Sequence, residues 1–397
     1  MSLARTRAVV SGVGMAHFAK PSQSVPYPQM AAYAVREALA DAGLEYGAVQ
    51  QAYVGYVYGD STAGQRALYE VGLSGIPIVN VNNNCATGST ALYLARQAIE
   101  SGTADCVLAL GFEQMPPGAL SAAFSAWANP MERHLETMDA IQTRDENRPL
   151  AAEFFGGAAR EYQSRFGAKT ETFAKVAVKA RRHAANNPRA LFKTPVSVDE
   201  VLASPAIFEP LTRLQCCPPT CGAAAAVLCS PEFARRRGAG NEVVIAGQAM
   251  TTDVAGTFES RSMIQLVGSD LSRRAVRQAS ELAGLGVDDA QVVELHDCFT
   301  SNELISYEAL GLAREGEAEQ LVEDGDNTYG GRFVVNPSGG LLSKGHPLGA
   351  TGLAQCAELV WQLRGEAEAR QVDGAKVALQ HNLGLGGACV VTFYQVA

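Results

Sequence analysis

An internal repeat is the feature that most limits how this chain can fold. The segment at 34–44 shares the letters AVR and AGL, in the same places, with the segment at 275–285, an offset of 241 positions. The triplet ATG at 86–88 recurs at 350–352, an offset of 264. Two matches in the same order predict a duplicated chain whose halves fold alike and form a pseudo-twofold pair.

Each half alternates strand-like and helix-like segments. In the first half, apolar runs at 8–11, 52–58 and 106–110 are separated by segments whose apolar residues recur at helical spacing. In the second half, a helix after residue 350 leads to an apolar strand at 376–379. This alternation predicts parallel-sheet α/β units joined by right-handed crossovers.

The segment from 116 to 219 does not fit the repeat. We predict an inserted loop domain there, since long irregular connections in compact proteins are often functional. The strands at 222–229 and 243–247 are assigned to the first half. The predicted domains are residues 1–115 with 220–265 for the first half, 116–219 for the insertion and 266–397 for the second half.

Composition excludes several classes of protein. The 397 residues are 47% hydrophobic and 18% charged, without a run of about 20 apolar residues that would cross a membrane. The start of the chain lacks a secretory leader, so we expect a cytoplasmic protein. The nine cysteines are an odd number, which favours reduced thiols, and QCCPPTC at 215–221 lacks the spacing of a metal site. A net charge of −9 argues against a nucleic-acid partner.

Cys85 lies between an apolar strand at 76–81 and a helix that begins at Ala86. Free N–H groups and the helix dipole stabilise a thiolate at such a helix start, which predicts a lowered cysteine pKa and a reactive thiol. Small residues at 86–89 leave room for a substrate. The alternative is a buried structural cysteine, which is the common situation of a free cysteine.

Second-half motifs offer partners for this thiol. The letters VVELHDCF at 292–299 place His296 and Cys298 at a strand end, two residues apart and hence on the same side. His346 lies three positions before the repeat equivalent of Cys85, so paired halves would bring a base to the thiol. The glycine-rich letters HNLGLGG at 381–387 can present N–H groups to an oxyanion.

Four motifs together resemble the thiolase family, most closely the branch related to sterol carrier protein. They are NNNCATGSTALYLARQ at 82–97, HDCF at 296–299, NPSGGLLSKGHPLGATGLAQ at 336–355 and HNLGLGGA at 381–388. The resemblance extends from residue 8 to 394. It implies a five-layer αβαβα fold with two βαβ-rich halves, an inserted loop domain over coenzyme A (CoA), and a homodimer or higher oligomer. CoA is implied as a co-substrate, with no permanently bound cofactor.

The resemblance also implies roles for the site residues. Cys85 becomes the acylated nucleophile, His346 its base, and His296 with His346 the donors to the thioester oxygen. The N–H groups of Cys85 and Gly384 are implied to hold the oxygen of the acyl-cysteine. In most thiolases a second catalytic cysteine stands at the place of Asn382, and Cys298 is its natural replacement here.

Two further features bear on the resemblance. Cys221 stands where the family usually has Asp, and the sequence does not predict the effect. Between 160 and 193 there are nine Lys and Arg residues against two acids, a local charge of +7. Guanidinium groups suit phosphate geometry, so Arg181, Arg182 and His183 are the expected contacts to the CoA phosphates.

The implied reaction is the CoA-dependent cleavage of a 3-oxoacyl-CoA, including branched or sterol-side-chain substrates. The products would be acetyl-CoA or propionyl-CoA and a shortened acyl-CoA, through an acyl-cysteine. Alternatives are a decarboxylating ketoacyl synthase-like enzyme, a carbon–carbon lyase on a steroid side chain, and a non-catalytic acyl-CoA or lipid-binding protein. Cys298 argues against the synthase, because decarboxylative condensation needs no thiol acid.

Overall fold

A computed structural model gives the arrangement of residues 7–116, 127–145, 148–236 and 242–397. The predicted insertion, 116–219, therefore lies partly outside the described residues. The strands are β1 (Val9–Met15), β2 (Gln51–Gly55), β3 (Ile78–Val81), β4 (Cys106–Glu113), β5 (Ala206–Phe208), β6 (Leu211–Thr212), β7 (Gly222–Cys229), β8 (Val243–Thr251), β9 (Val292–Glu294), β10 (Val334–Val335), β11 (Val377–Gly384) and β12 (Ala388–Val396).

The α-helices divide between the halves and the insertion. The first half and the insertion contain α1 (Tyr27–Asp41), α2 (Ala63–Leu68), α3 (Thr87–Glu100), α4 (Glu132–Asp139), α5 (Leu150–Phe166), α6 (Thr170–Ala184), α7 (Val198–Leu202) and α8 (Pro231–Arg236). The rest of the chain contains α9 (Ala255–Glu259), α10 (Met263–Leu266), α11 (Ser269–Ala283), α12 (Thr300–Leu310), α13 (Ala318–Glu323), α14 (Gly340–Ser343) and α15 (Thr351–Arg364). Within the described ranges, none of these helices is both long enough and apolar enough to cross a membrane.

The strands of the two halves lie in the same order within one large sheet. The first half has the order β3-β2-β4-β7-β1 and the second has β10-β9-β11-β12-β8. The halves join where β1 and β8 pair antiparallel, at Val9 with Val244 and Val10 with Val243. Equivalent strands therefore occupy equivalent positions on either side of this contact, which confirms the duplication.

The repeated sequence segments lie on equivalent helices. The segment 34–44 belongs to α1 and the turn after it, and 275–285 belongs to α11 and the turn after it. Gly43 and Gly284 end these helices with φ of 62° and 69°, the left-handed conformation expected of a glycine C-cap. The two ATG triplets begin α3 and α15 in the same way.

Three large apolar cores lie between the layers of helices and strands. One core lies between the first-half strands and α1 with α2, a central core contains α3 and α15, and the third lies between the second-half strands and α11 with α12. Neighbouring residues of β7 show the division, because Ala225 and Val227 belong to the α1 core whereas Ala226 and Leu228 belong to the central core. The layers are thus α, β, α, β and α, as predicted.

The direction of strand pairing differs from the expected parallel sheet. β2 pairs parallel with β3 and β4, but β7 pairs antiparallel with β4 and β1. In the second half, β11 and β12 are also antiparallel. Only residues 385–387 connect them, and a parallel connection would need a crossover of a dozen residues or more.

The position of β8 also differs from its assignment to the first half. β8 pairs antiparallel with β12 over its whole length, from Val243 opposite Val396 to Thr251 opposite Cys389. It has the place in the second half that β1 has in the first. We therefore propose that the boundary between the halves lies before Val243 and not after residue 265.

The described part of the insertion packs on the second half. Phe155 of α5 stacks on Phe299 with ring centroids 4.9 Å apart. Lys179 of α6 forms a buried ion pair with Glu303 of α12. Because Phe299 directly follows Cys298, these contacts hold the strand end that carries two of the expected site residues.

Candidate active site

Cys85 lies at the strand-to-helix elbow that its sequence context predicts. β3 ends at Val81 and α3 begins at Thr87. Between them Asn84 has a positive φ of 50°, which Asn tolerates better than most residues, and its side-chain amide donates to the carbonyl of Leu385 at 2.9 Å. Asn84 thereby fastens the elbow to the loop after β11. Cys85 is half-buried at this point.

Two histidines from the second half lie beside Cys85. Cys85 Sγ and one ring nitrogen each of His296 and His346 all lie within 4.8 Å of one another. The two rings meet edge to face, with centroids 5.0 Å apart and planes at 84°. His296 follows β9 and His346 lies in the turn before α15, so the pairing of the halves assembles the group.

The hydrogen bonds of His346 determine which of its ring nitrogens carries the proton. His346 Nδ1 is 2.7 Å from the hydroxyl oxygen of Thr351, and that hydroxyl donates to the carbonyl of Pro347 at 3.0 Å. Nδ1 must therefore carry the proton and donate it to Thr351. His346 Nε2 is buried and has no partner among the described residues, which leaves its lone pair available.

Glu113 is a site residue that the sequence motifs did not identify. It ends β4, is fully buried, and accepts hydrogen bonds from the backbone N–H groups of Val57, Tyr58 and Gly349 at 3.1, 3.0 and 3.0 Å. Burial raises its pKa to about 7, although these three N–H groups oppose the shift. The one signal in the sequence is an acidic residue at the end of the apolar run CVLALGFE.

The pKa of Cys85 is raised, so the expectation of a lowered pKa is wrong. Burial raises it to about 12, and the negative charge of Glu113 acts in the same direction. Backbone N–H groups near the sulfur do lower the pKa, as the helix-start argument requires, but they are outweighed. Burial lowers the pKa of His346 to about 3, and the charge of Lys344 adds to this. The resting pair is therefore a thiol and a neutral imidazole.

Cys298 lies in the same region of the structure, close enough for the charge of Cys85 to act on it. It is buried, and burial raises its pKa well above the ordinary value, with Cys217 and Cys85 contributing. The backbone N–H of Cys217 donates to the carbonyl of Cys298 at 2.9 Å. Cys217 is a second residue that the motifs did not identify, although the letters QCCPPTC mark its position.

Asn382 occupies the place of the usual second thiol. Its side-chain nitrogen is 3.1 Å from the carbonyl oxygen of Cys85 and 3.2 Å from His296 Nδ1. Cys389, a thiol on β12, is buried, and its Sγ donates to the hydroxyl of Ser272 at 3.7 Å. A proton-transfer thiol near Cys85 is therefore left to Cys298 or Cys217.

The glycine loop after β11 lies against the elbow. An added Cβ at Gly384 would come within 2.3 Å of the carbonyl oxygen of Asn83, so only glycine fits this approach. The N–H groups that lower the pKa of Cys85 belong to Cys85 itself and to Leu385. Leu385 was not predicted, and the role of the Gly384 N–H stays a prediction.

Comparisons with known proteins give the family of the chain. Residues 8–232 match the domain family described as "Thiolase, N-terminal domain", and residues 254–393 match the one described as "Thiolase C-terminal domain-like". The chain belongs to the thiolase family. The resemblance found in the sequence motifs is therefore confirmed.

Curated relatives place this thiolase on the sterol-carrier branch. Sterol carrier protein 2 from Oryctolagus cuniculus is 56% identical over 394 residues, which cover 98% of this chain and 72% of that protein. Acetyl-CoA acetyltransferase from Methanothermobacter thermautotrophicus is 34% identical over 369 residues, which cover 90% and 91% of the two chains.

Solved structures share the thiolase fold. The Ltp2-ChsH2(DUF35) aldolase superposes with a TM-score of 0.80 at 26% identity, covering 98% of both chains. Human mitochondrial 3-ketoacyl-CoA thiolase in complex with CoA has a TM-score of 0.72 at 17% identity, covering 99% of this chain and 98% of that one. At the latter identity the likeness shows the fold alone.

Cys221 of this thiolase has a structural partner. It is buried at the start of β7, and its Sγ accepts a hydrogen bond from the backbone N–H of Met115 at 3.2 Å. Met115 lies where the chain leaves the first half for the insertion. The Cys221 thiol thus satisfies this backbone N–H group.

Much of the predicted basic cluster is already paired. Lys175 and Arg165 bind Glu323 and Glu315 of the second half, and Lys179 binds Glu303. These charges attach the insertion to the second half and are not free for a phosphate. Arg181 and Arg182 have no carboxylate partner among the described residues.

The three residues expected to contact CoA phosphates differ in exposure. Arg181 is half-buried with its guanidinium 4.2 Å above the ring of Phe192, and Arg182 is exposed and donates to Thr328 Oγ1 at 3.0 Å. His183 is buried, with Nδ1 2.9 Å from the carbonyl oxygen of Asn336 and Nε2 2.7 Å from Thr328 Oγ1. Because both ring nitrogens are occupied, we remove His183 from the phosphate-binding set.

Proposed function

We propose that this thiolase cleaves 3-oxoacyl-CoA thioesters with CoA as the second substrate. The products are acetyl-CoA, or propionyl-CoA from a 2-methyl substrate, and an acyl-CoA shortened by that unit. The observation that carries the proposal is the half-buried Cys85 thiol beside His346, whose Nε2 has no hydrogen-bond partner among the residues that the structure describes. A thiol and an adjacent base with a free lone pair are the groups that acyl transfer through a cysteine needs.

The first step joins Cys85 to the substrate in a tetrahedral adduct, and the acyl-cysteine forms only when the C2–C3 bond of that adduct breaks in the second step. His346 Nε2 takes the thiol proton as Cys85 Sγ bonds to the 3-oxo carbon of the substrate. With the pKa of the thiol near 12 and that of the imidazole near 3, a free ion pair is unfavourable, so proton transfer accompanies attack. Neutral resting groups also avoid a charged pair in a buried site.

The second step breaks the bond between C2 and C3. The electron pair of that bond passes to the thioester of the leaving group as an enolate, whose oxygen is held by the N–H groups of His296 and protonated His346. Cys298 delivers its proton to C2, which gives acetyl-CoA or propionyl-CoA. The raised pKa of Cys298 suits this role, because the thiol stays protonated until a strong carbanion base forms.

The third step returns the enzyme to its resting state. The Cys298 thiolate takes the proton of incoming CoA, whose sulfur attacks the acyl-cysteine. Backbone N–H groups near Cys85 hold the carbonyl oxygen during this attack, with Gly384 and Leu385 as the candidates on the glycine loop. The Cys85 sulfur leaves and recovers its proton from His346.

The CoA phosphates are proposed to bind at Arg181 and Arg182. Both lie on the last turn of α6 in the insertion, close to Phe192 and Thr328. Guanidinium groups bind phosphates through paired N–H donors, and the half-buried Arg181 and exposed Arg182, which have no carboxylate partner among the described residues, retain that capacity.

A homodimer or higher oligomer is also proposed. β3 is the edge strand of the sheet on the side of the first half, and it has no neighbour on its outer side among the described residues. Val79, in the middle of this strand, is 40% exposed. An open edge strand with an exposed apolar residue is a surface that proteins normally cover by pairing.

A carbon–carbon lyase is the second candidate, since the aldolase named above shares the fold at 26% identity.

A product assay of the purified protein tests these candidates. Its 3-oxoacyl-CoA substrates are straight, 2-methyl-branched or carry a sterol side chain. Cleavage that requires CoA and yields two thioesters supports the proposal. Cleavage without CoA to a free aldehyde or ketone supports a lyase, and consumption of malonyl-CoA with release of CO2 supports a decarboxylating synthase.

A further inference from the structure

We propose that Asn382 is a positioning residue that fixes His296 in the tautomer with its proton on Nε2, so that His296 acts as a hydrogen-bond donor to the substrate thioester oxygen. The inference deepens the proposed function and rests on it. It gives a positive role to the residue that stands in place of the usual second thiol.

The orientation of the Asn382 amide follows from its first contact. The side-chain nitrogen lies 3.1 Å from the carbonyl oxygen of Cys85. A backbone carbonyl only accepts hydrogen bonds, so the group facing it must be the NH2 group. The reverse orientation would set two oxygen acceptors against each other in a buried place, without a proton between them.

The same NH2 group determines the state of the His296 ring. It lies 3.2 Å from His296 Nδ1, so Nδ1 must offer a lone pair to it. A neutral imidazole with a lone pair on Nδ1 carries its proton on Nε2. Burial, with His346 and His381 adding to it, lowers the pKa of His296 well below the ordinary value, so the ring is neutral near pH 7.

The remaining nitrogen is available to a ligand. His296 Nε2 has no hydrogen-bond partner in the ranges that the structure describes, whereas the backbone of His296 is held on both sides. Its N–H faces His381 Nδ1 at 3.5 Å, and its carbonyl accepts from the side-chain amide of Asn302. The main chain is thus fixed while the Nε2–H group is left for the substrate.

The two active-site histidines therefore hold opposite tautomers. Thr351 places the proton of His346 on Nδ1 and leaves Nε2 as a base, whereas Asn382 leaves a proton on His296 Nε2 as a donor. The division also bears on metal binding, since Cys85, His296 and His346 have donor types that zinc accepts. Because His296 presents an N–H group there, only Cys85 and the lone pair of His346 remain as ligands. Protein zinc sites use three or four ligands.

The first test reads the tautomers directly. The chain has six histidines, so labelling them with nitrogen-15 gives a spectrum that can be assigned by single substitutions of His296 and His346 to Gln. We expect the unmodified protein to show His296 protonated on Nε2 and His346 protonated on Nδ1. A proton on His296 Nδ1 would overturn the inference, whatever the activity of the enzyme.

The second test changes Asn382. Asn382→Asp presents only acceptors, so it should move the His296 proton to Nδ1, and Asn382→Ala should allow both tautomers. His381, which contacts Ser272 at 2.9 Å, is the internal control and should keep its state in both variants. Unchanged His296 tautomers in both variants would contradict the role of Asn382, even if one variant were poorly stable.

Kinetics separate this inference from the proposed function. Asn382→Asp should lower kcat for cleavage of 3-oxoacyl-CoA by roughly 10²–10³, the effect of losing one oxyanion donor. Acylation of Cys85 by a simple acyl-CoA should fall much less, because that step does not use the thioester enolate. Equal losses in both reactions would show a merely structural role. If the tautomers are as stated but no CoA-dependent cleavage occurs, the tautomer assignment stands and the proposed function is wrong.

Discussion

The Glu113 carboxylate accepts a hydrogen bond from the backbone N–H of Gly349 at 3.0 Å, across the boundary between the two halves. Gly349 follows His346 by three residues, so this bond fixes the His346 turn against the first half. The approach is close, since an added Cβ at Gly349 would lie 2.3 Å from the carbonyl oxygen of Phe112. Glu113 thus both positions His346, the proposed base, and places a titratable charge near Cys85.

Replacing Glu113 with Gln should make Cys85 more reactive at alkaline pH. Removal of a negative charge beside a group that ionises to an anion lowers the pKa of that group, so more thiolate forms at a given pH. The rate of Cys85 alkylation by iodoacetamide should therefore rise severalfold above pH 7. Below about pH 7 the wild-type carboxyl is itself largely protonated, and the two proteins should converge.

Peptide mass spectrometry of the alkylated protein gives the rate at Cys85 alone. Glu308→Gln is a matched control, because Glu308 is a carboxyl on α12 with a raised pKa that is bonded to Tyr162. It should leave the alkylation profile unchanged. A slower reaction of Cys85 in the Glu113→Gln protein at pH 9 would contradict this account.

Cys298→Ala should separate the two halves of the reaction. Acylation of Cys85 by a simple acyl-CoA needs only His346 and backbone donors, and should persist. Cleavage of 3-oxoacyl-CoA should fall by about 10²–10⁴, the usual effect of a positioned proton-transfer group. Cys356→Ala, a buried thiol in the central core, is the control and should retain cleavage. Near wild-type cleavage by the Cys298→Ala protein would transfer the proton role to Cys217 or to water.

Reversing Arg181 and Arg182 to Glu should raise the KM for CoA by roughly tenfold or more. The reason is that a hydrogen bond to a charged group contributes about 1.5–3 kcal/mol. The KM for a short pantetheine thioester, which has no nucleotide phosphates, should stay unchanged. Arg235 and Arg236 are exposed at the end of α8, and their reversal to Glu is the matched control. Equal effects on both substrates would place the phosphates elsewhere.

Lys344 and Glu294 form an ion pair that is almost completely buried, at 3.3 Å. Lys344→Met should lower the free energy of unfolding by about 3–5 kcal/mol, because it leaves a buried carboxylate without its partner. The double change Lys344→Met and Glu294→Gln should recover part of the loss. Denaturant unfolding measures both, and a double variant less stable than Lys344→Met would contradict the pairing.

The sequence predicts the fold well where local pattern and repeat agree. The matching segments at 34–44 and 275–285 lie on equivalent helices, and the layers are as expected. The direction of β7 and β12 and the place of β8 were not predicted correctly, because an apolar run shows that a strand is buried but not which neighbour it pairs with. Those choices depend on long-range contacts.

The candidate site also contains residues that the sequence predicts and residues that it does not. Cys85 and His346 follow from the elbow and the repeat, and the structure brings both together with His296. Glu113 is unremarkable in sequence, and its role appears only when three backbone N–H groups converge on it. The helix start predicts the wrong direction for the pKa of Cys85, because its effect is local, whereas burial and Glu113 act through the tertiary structure.

Cys85 is proposed to carry the acyl group during cleavage. The most direct measurement is mass spectrometry of the protein after incubation with a 3-oxoacyl-CoA in the absence of free CoA. We expect the shortened acyl group on the peptide that contains Cys85, one acetyl-CoA released for each group attached, and no adduct in Cys85→Ala. An adduct that survives in Cys85→Ala, or that maps to Cys298 in the unmodified protein, would contradict the account.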